Sequence, residues 1–385
     1  MPTNAAAQHA ARRRPRLLAC GALVLALVAA CATEPDPQPA PASPAPPAPT
    51  QEAPTKAPTQ EPEPTAPPPP TEPTVHATGL DAPWSITFHG EVPLVSERDT
   101  ARVLELGEDG SARKVGSIDG VVSPGEAGLL GIAAHEDYLY AYFTASGQNR
   151  IERYELAGDP GALELGAPET VLADIPAASF HNGGRIAFGP DGMLYATTGD
   201  VNEPGSAQDV GSLAGKILRL RPDGGVPDDN PFPDSLVYSY GHRNVQGIAW
   251  DEDGTMYASE FGQDTWDELN VIEAGGNYGW PAVEGMGNGG DFIDPVQQWE
   301  PAEASPSGIA AHGDHLYIAN LRGARLTEVP LNELGSSSTI LDGYGRLRDV
   351  VEGPDGALWV LTNNTDGRGQ PDEDDDRIIR FAPGS

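Results

Sequence analysis

The segment GPDGMLYATTGD, residues 189–200, joins an Asp-Gly turn to a short apolar-aromatic strand. The same unit recurs as HGEVPLVSE (89–97), HEDYLYAYF (135–143), DEDGTMYASEFG (251–262), HGDHLYIANL (312–321) and GPDGALWVLTNN (353–364). Asp-Gly, Asp-Tyr and Gly-Asp supply the tight reversals that hairpins require. The strands alternate or stay apolar over roughly four to eight residues, which suits β structure rather than helix. The six copies lie about forty to sixty residues apart, and no convincing helix intervenes. That period predicts an all-β, six-bladed β-propeller; two packed β domains are the competing arrangement. In a propeller, loops leaving the inner strands converge on one end of the channel, so residues remote in sequence share a pocket. The fold alone leaves a lactonase, a lectin-like binder and a receptor module open.

Residues 1–30 read as a leader. Arg12, Arg13, Arg14 and Arg16 precede an apolar run, Leu17 to Ala30, too short to span a bilayer comfortably. The run closes on Val28-Ala29-Ala30-Cys31, which looks like a bacterial lipobox and predicts lipidation at Cys31. An ordinary secretory signal is the alternative; Leu18-Ala19-Cys20 has almost no apolar run before it. With Cys31 lipidated, the mature chain has no second cysteine and no internal disulfide, so its own core must hold it. Residues 31–74 are dominated by Pro, Ala, Glu and Thr, too poor in apolar surface to offset ordering entropy. They predict a disordered tether with a stretched limit of order 130 Å, at ~3.1 Å per residue. The propeller is assigned to 75–385. A formal charge of −34 makes nucleic acid and anionic lipid surfaces poor partners. The lipid anchor is then the expected membrane contact, and a monomer the expected state.

Working outward from the repeats, GHRNVQGIAW (241–250), DEDGTMYASEFGQDTWDELNVI (251–272) and GGNYGWP (275–281) lie within about forty residues. They combine a His-Arg-Asn turn, a strand ending in Glu, an acidic loop and a Gly-rich Tyr-Trp-Pro turn. Together with QDVGSLAGKILRLRPDG (208–224) and the DNPF turn (229–232), their order and spacing resemble the soluble quinoprotein sugar dehydrogenases, the glucose/sorbosone dehydrogenase family. The likeness covers nearly all of 75–385. It implies pyrroloquinoline quinone (PQQ) and calcium as cofactors. The implied reaction oxidises a sugar or alcohol, typically at the sugar C1, to a lactone by hydride transfer to the quinone. Electrons would then pass to an acceptor outside the membrane.

His181 opens HNGGRIAFGPDG (181–192), where two glycines leave open space beside an imidazole able to take a hydroxyl proton near neutral pH. The residues alone also allow a structural histidine; the resemblance makes His181 the general base. The glucose enzyme has an acidic residue just before this histidine, whereas Phe180 stands here. The resemblance sets Arg243 and Asn244 against the quinone, where the cation stabilises charge developing on the reduced ring. His242 is expected to be structural.

Arg346 and Arg348, in GRLRDVVEGPDG (345–356), are two apart and so share a face if they lie in one strand. Planar guanidinium forks bind carboxylates bidentately, and PQQ has three carboxylates. Arg322 in NLRGARL (320–326) aligns with a further cofactor contact, with Arg325 as the ambiguity, and surface ion pairs are the plainer reading of all three. Glu126 stands where the glucose enzyme has a substrate-contacting Gln; it can accept sugar hydroxyls but faces the cofactor's anions. For calcium, the resemblance implies the Glu268 carboxylate and the Tyr278 carbonyl, with Gly262 and Gln263 giving carbonyls to a second ion beside PQQ. Hard oxygen ligands of that kind suit Ca²⁺.

Asp372 to Asp376 lack EF-hand spacing and read as a solvated loop. No zinc pattern, GxSxG elbow or phosphate-binding loop is present, and no Gly-rich piece has a Rossmann context. Two rivals remain: a calcium-dependent lactonase-like hydrolase, which leaves the arginines unexplained, and a binding propeller that has lost its cofactor.

Overall fold

Each repeated unit is the second strand of a four-stranded antiparallel sheet. In a computed structural model that describes residues 71–287 and 290–383, these strands are Val92–Glu97, Tyr138–Ala145, Leu194–Thr198, Met256–Glu260, His315–Asn320 and Leu358–Thr362. The expected leader, Cys31 and nearly all of the Pro/Ala-rich segment lie outside the described residues.

The recurrence has a local cause. In GPDG, Asp191 accepts the Met193 N–H at 3.0 Å, closing the turn, and its other oxygen accepts the Tyr195 hydroxyl at 3.1 Å. Asp251 does the same for the Thr255 N–H at 2.8 Å and the Tyr257 hydroxyl at 2.9 Å. One aspartate thus fixes both the reversal and the aromatic of its own strand.

The first strands of the sheets (Pro83–His89, Leu129–His135, Ile186–Phe188, Val245–Trp250, Pro306–His312 and Leu347–Glu352) pack in order around a ring, the last against the first. The last sheet is completed by the beginning of the domain: Thr74–Ala77 pairs antiparallel with Ile378–Phe381. Six apolar clusters fill the six gaps between neighbouring sheets. Leu94, Leu139, Leu218, Leu316 and Leu358 are wholly buried in them; each such leucine contributes ~1.5–3 kcal/mol relative to exposure. The protein is a six-bladed β-propeller. Its described residues contain no α-helix, only a 3₁₀ turn at Pro204–Gln208.

Pairing in five of the six inner strands slips near their start, between Pro83/Ser85, Leu129/Ile132, Val245/Gly247, Pro306/Ile309 and Leu347/Asp349. Such bulges re-aim side chains. The displaced residues include Trp84, Gln246, Ser307 and Arg348, which meet around the channel.

Candidate active site

His181 lies in the connection between the second and third blades with φ +58°, in the left-handed region that costs a non-glycine residue energy. Gly199 packs directly beneath it; a Cβ there would strike the His181 carbonyl and crowd the Asn244 side chain. The imidazole Nδ1 is 2.7 Å from Asp200 Oδ1. The buried Asp200 also accepts the Asn202 N–H at 3.0 Å and the Trp280 indole N–H at 2.9 Å. Burial disfavours its charge, but the bonds from His181, Asn202 and Trp280 outweigh that and hold its carboxyl below the ordinary value. An ionised carboxylate only accepts, so Nδ1 carries the hydrogen and Nε2 keeps its lone pair. Phe180 is exposed and supplies no carboxylate; Asp200, which the sequence reading missed, does.

Arg243 donates from Nη2 to His181 Nε2 at 3.0 Å and from Nη1 to the carbonyls of Gly262 (2.6 Å) and Phe261 (3.2 Å). Its guanidinium lies 5.6 Å from the Trp280 ring centroid. Asn244 accepts the Gly183 N–H at 3.0 Å and Gln246 Nε2 at 3.2 Å, while its own Nδ2 is buried without a partner. His242 is wholly buried between Ser239 and Glu260, at 2.9 and 2.8 Å, the structural role expected of it.

The arginines divide by their partners. Arg348 is buried and donates to neutral groups, Gln246 Oε1 at 3.1 Å and Ser307 Oγ at 3.3 Å; its Nε has no partner, and it forms no ion pair among the described residues. Burial pushes it down to about 9, a measure of how little counter-charge it meets. Arg346 instead pairs with Asp366 at 3.2 Å through Nη2, and its Nε is buried without a partner. The two do not share a face by strand alternation: Arg346 precedes the strand Leu347–Glu352, and the bulge at Arg348 turns its side chain to the channel. Arg322 is exposed at a cavity of about 770 Å³ that Glu126 and Arg346 also line. Arg325 donates to the Glu303 carbonyl at 2.5 Å, which separates it from Arg322.

Glu126 accepts the His181 N–H at 3.2 Å and pairs with Arg368 at 3.0 Å. Glu268 and Tyr278 line a small neighbouring cavity with Gly262, Arg243 and Trp280. Glu268 is buried and accepts the Gly285 N–H at 2.8 Å and Asn270 Nδ2 at 3.1 Å. Burial first, then the charge of Glu260, pushes its carboxyl up to about 8. A cation there would offset both effects. Gln263 is exposed, its N–H held by Glu284 at 2.7 Å. Among the described residues no group of three or more His, Cys, Asp or Glu side chains forms a metal cage; the implied calcium donors are one carboxylate and several carbonyls. The acidic run is only partly solvated. Asp376 is buried and accepts from Thr362, Asn364 and Thr365, tying down the loop backbone.

A histidine oriented by a buried carboxylate, and a buried arginine without an ion pair in the cavity lined by the adjoining Asn182 and Gly183, suit proton abstraction near an anionic group. The chain belongs to the glucose/sorbosone dehydrogenase family, whose profile matches residues 80–378, and by that membership it is a sugar dehydrogenase. It is 50% identical to the PQQ-bound aldose sugar dehydrogenase from Streptomyces coelicolor, with a TM-score of 0.76 covering 81% of this chain and 98% of that one. The aldose sugar dehydrogenase YliI of Escherichia coli is 31% identical over 75% of this chain and 89% of its own length. Quinoprotein glucose dehydrogenase B of Acinetobacter calcoaceticus is 35% identical over 50% of this chain and 48% of its own.

Proposed function

We propose that this dehydrogenase oxidises the C1 hydroxyl of aldose sugars to the lactone, with PQQ as oxidant, calcium as bound ion and His181 as general base. The observation that carries the reading is the 2.7 Å hydrogen bond from His181 Nδ1 to Asp200 Oδ1, which leaves the Nε2 lone pair beside Arg243. A substrate hydroxyl displaces or shares the Arg243 bond and donates its proton to Nε2; Asp200 then stabilises the imidazolium. PQQ, when bound, supplies the two-electron oxidation by accepting the C1 hydride. The hydroxyl proton and the hydride together account for the two hydrogens lost when the hemiacetal becomes a lactone.

The residues present fit the cofactor. Arg348 with its unpaired Nε, Arg346, exposed Arg322 and the unpartnered Nδ2 of Asn244 would hold PQQ's anionic and carbonyl oxygens. Arg243 would stabilise negative charge gained on reduction. Glu268 and the Tyr278 carbonyl suit one calcium ion, and the carbonyls of Gly262 and Gln263 a second; a carbonyl oxygen has two lone pairs, so Gly262 can serve Arg243 and a cation together. Val28-Ala29-Ala30-Cys31 supports a lipid-anchored, extracytoplasmic placement with residues 31–74 as the tether. The test is dye-linked turnover. Protein reconstituted with PQQ and calcium should reduce an artificial acceptor only when an aldose is present; lactone hydrolysis without PQQ would favour the hydrolase.

A further inference from the structure

We infer that Arg368 is a positioning residue that holds the Glu126 carboxylate aimed at the substrate and shields the bound anionic cofactor from its charge. The inference rests on the functional reading above. Glu126 sits at the rim of the channel, lining both the large cavity and the smaller one that contains Trp84, Gln246 and Arg348. A lone carboxylate in that place would repel an oxidant with three carboxylates. It is not alone. Glu126 Oε1 meets Arg368 Nη1 at 3.0 Å, and Oε2 accepts the His181 N–H at 3.2 Å. With one bond on each oxygen the carboxylate plane is fixed. Lone pairs remain on both oxygens to accept two sugar hydroxyls beside the base.

Both ends of this clamp are built into the fold. Glu126 donates its N–H to the Ser179 carbonyl at 2.8 Å, and Gly125 (φ +68°) lies where a Cβ would strike that carbonyl. The segment carrying Glu126 is therefore pinned to the segment carrying His181. On the other side, the Arg368 N–H donates to Asp366 Oδ1 at 2.9 Å, while Asp366 Oδ2 holds Arg346 at 3.2 Å. One buried carboxylate thus orients a cofactor arginine and the arginine that neutralises Glu126. Arg368 is itself 41% exposed, so the pair contributes little to folding. Its placement points to the site instead.

The experiment uses the full chain with PQQ and calcium. It compares R368M, R368K, E126Q and the double variant R368M/E126Q by PQQ titration, steady-state kinetics with an aldose, and thermal melting. R368M should raise both the PQQ Kd and the aldose KM by about two- to tenfold, the range of a lost rim charge. Its kcat should change far less and its melting temperature should hold. R368K should recover most of the loss, and the double variant should recover PQQ affinity because no uncompensated carboxylate remains. A wild-type Kd and KM in R368M would overturn the inference. So would a double variant as weak for PQQ as R368M, which would place Arg368 on the cofactor directly. Wild-type protein that takes up no PQQ would overturn the functional reading and this inference together, whereas wild-type uptake with flat variants overturns this inference alone.

Discussion

Replacing Asp200 with Asn removes the charge that orients His181 while keeping the side chain's shape. The carboxylate accepts from His181 and Asn202 on one oxygen and from Trp280 on the other. An amide has only one accepting oxygen. If its NH₂ faces His181, it also opposes the Asn202 N–H, and the imidazole must accept at Nδ1 and carry its hydrogen on Nε2, opposite the Arg243 donor at 3.0 Å, so the basic lone pair is lost. If the NH₂ faces Trp280 instead, two donors meet in a buried place, which costs ~1–3 kcal/mol of stability. Loss of a positioned base costs ~10²–10⁴ in kcat, about 2.7–5.4 kcal/mol of barrier. Arg348 and Arg346 are untouched, so PQQ affinity should stay near wild type. Asp200 titrates below its ordinary value, so its stabilising contribution is present above ~pH 4, the unfolded range, and is lost as pH falls through the folded value. The stability gap between wild type and D200N should accordingly close in acid. The assay is single-turnover reduction of bound PQQ by glucose, alongside an equilibrium PQQ titration. Reduction at the wild-type rate in D200N would refute the role, as would a loss of PQQ binding equal to the loss of rate.

His181→Ala should bind PQQ nearly normally and lose ~10²–10⁴ in kcat by the same assay. Arg348→Ala should raise the PQQ Kd, with Lys recovering only part because it lacks the planar fork; equal affinity in R348A and wild type by titration would remove Arg348 from the cofactor. Exhaustive chelation should lower the melting temperature, with recovery by Ca²⁺ rather than Zn²⁺, and E268Q should blunt that response. Because the Glu268 carboxyl is raised to about 8, it costs the metal-free protein stability progressively as pH rises from the unfolded carboxylate range towards 8. Calcium rescue, read by melting at several pH values, should therefore grow over that interval; rescue independent of pH would remove Glu268 from the site. Cys31→Ser should release the protein from membranes on fractionation, whereas wild-type protein found soluble with an unmodified Cys31 would reject the anchor.

The fold was legible because its repeated unit is local: an aspartate, a turn and an aromatic strand lie within a dozen residues, as in 189–200 and 251–262. The proposed roles of His181 and the arginines come only from motif order. What remained hidden depends on strand register, on loop contacts or on bulges. Asp200 is nineteen residues from His181 in the chain, and the antiparallel pairing of Ile186–Phe188 with Leu194–Thr198, continued by the Val201 N–H to the His181 carbonyl, brings them together. A sequence signal did exist. Glu97, Asp200 and Glu260 all stand at or just beyond the end of a second strand, and all are buried. An acidic residue ending an apolar strand marks a carboxylate with a fixed partner: Arg102 for Glu97, His181 for Asp200, His242 for Glu260. Alternation failed for Arg346 and Arg348 because a bulge changes the count by one residue. Gln246 and Trp84 were missed for the same reason, both being displaced residues that reach the channel at a bulge. The buried end of the acidic run at Asp376 was invisible because its partners, Thr362 to Thr365, lie at the end of another strand and in the loop after it.

Whether this site passes a sugar's hydride to bound PQQ while His181 takes the proton can be read from an absorbance titration of purified protein with PQQ in the presence of calcium, followed by one equivalent of glucose without any external acceptor. Stoichiometric PQQ uptake is expected, then full conversion of the bound cofactor's spectrum to the reduced form, with that second step slowed by ~10²–10⁴ in His181→Ala. Uptake followed by an unchanged spectrum with every aldose tried, or no uptake at all, would contradict the functional reading.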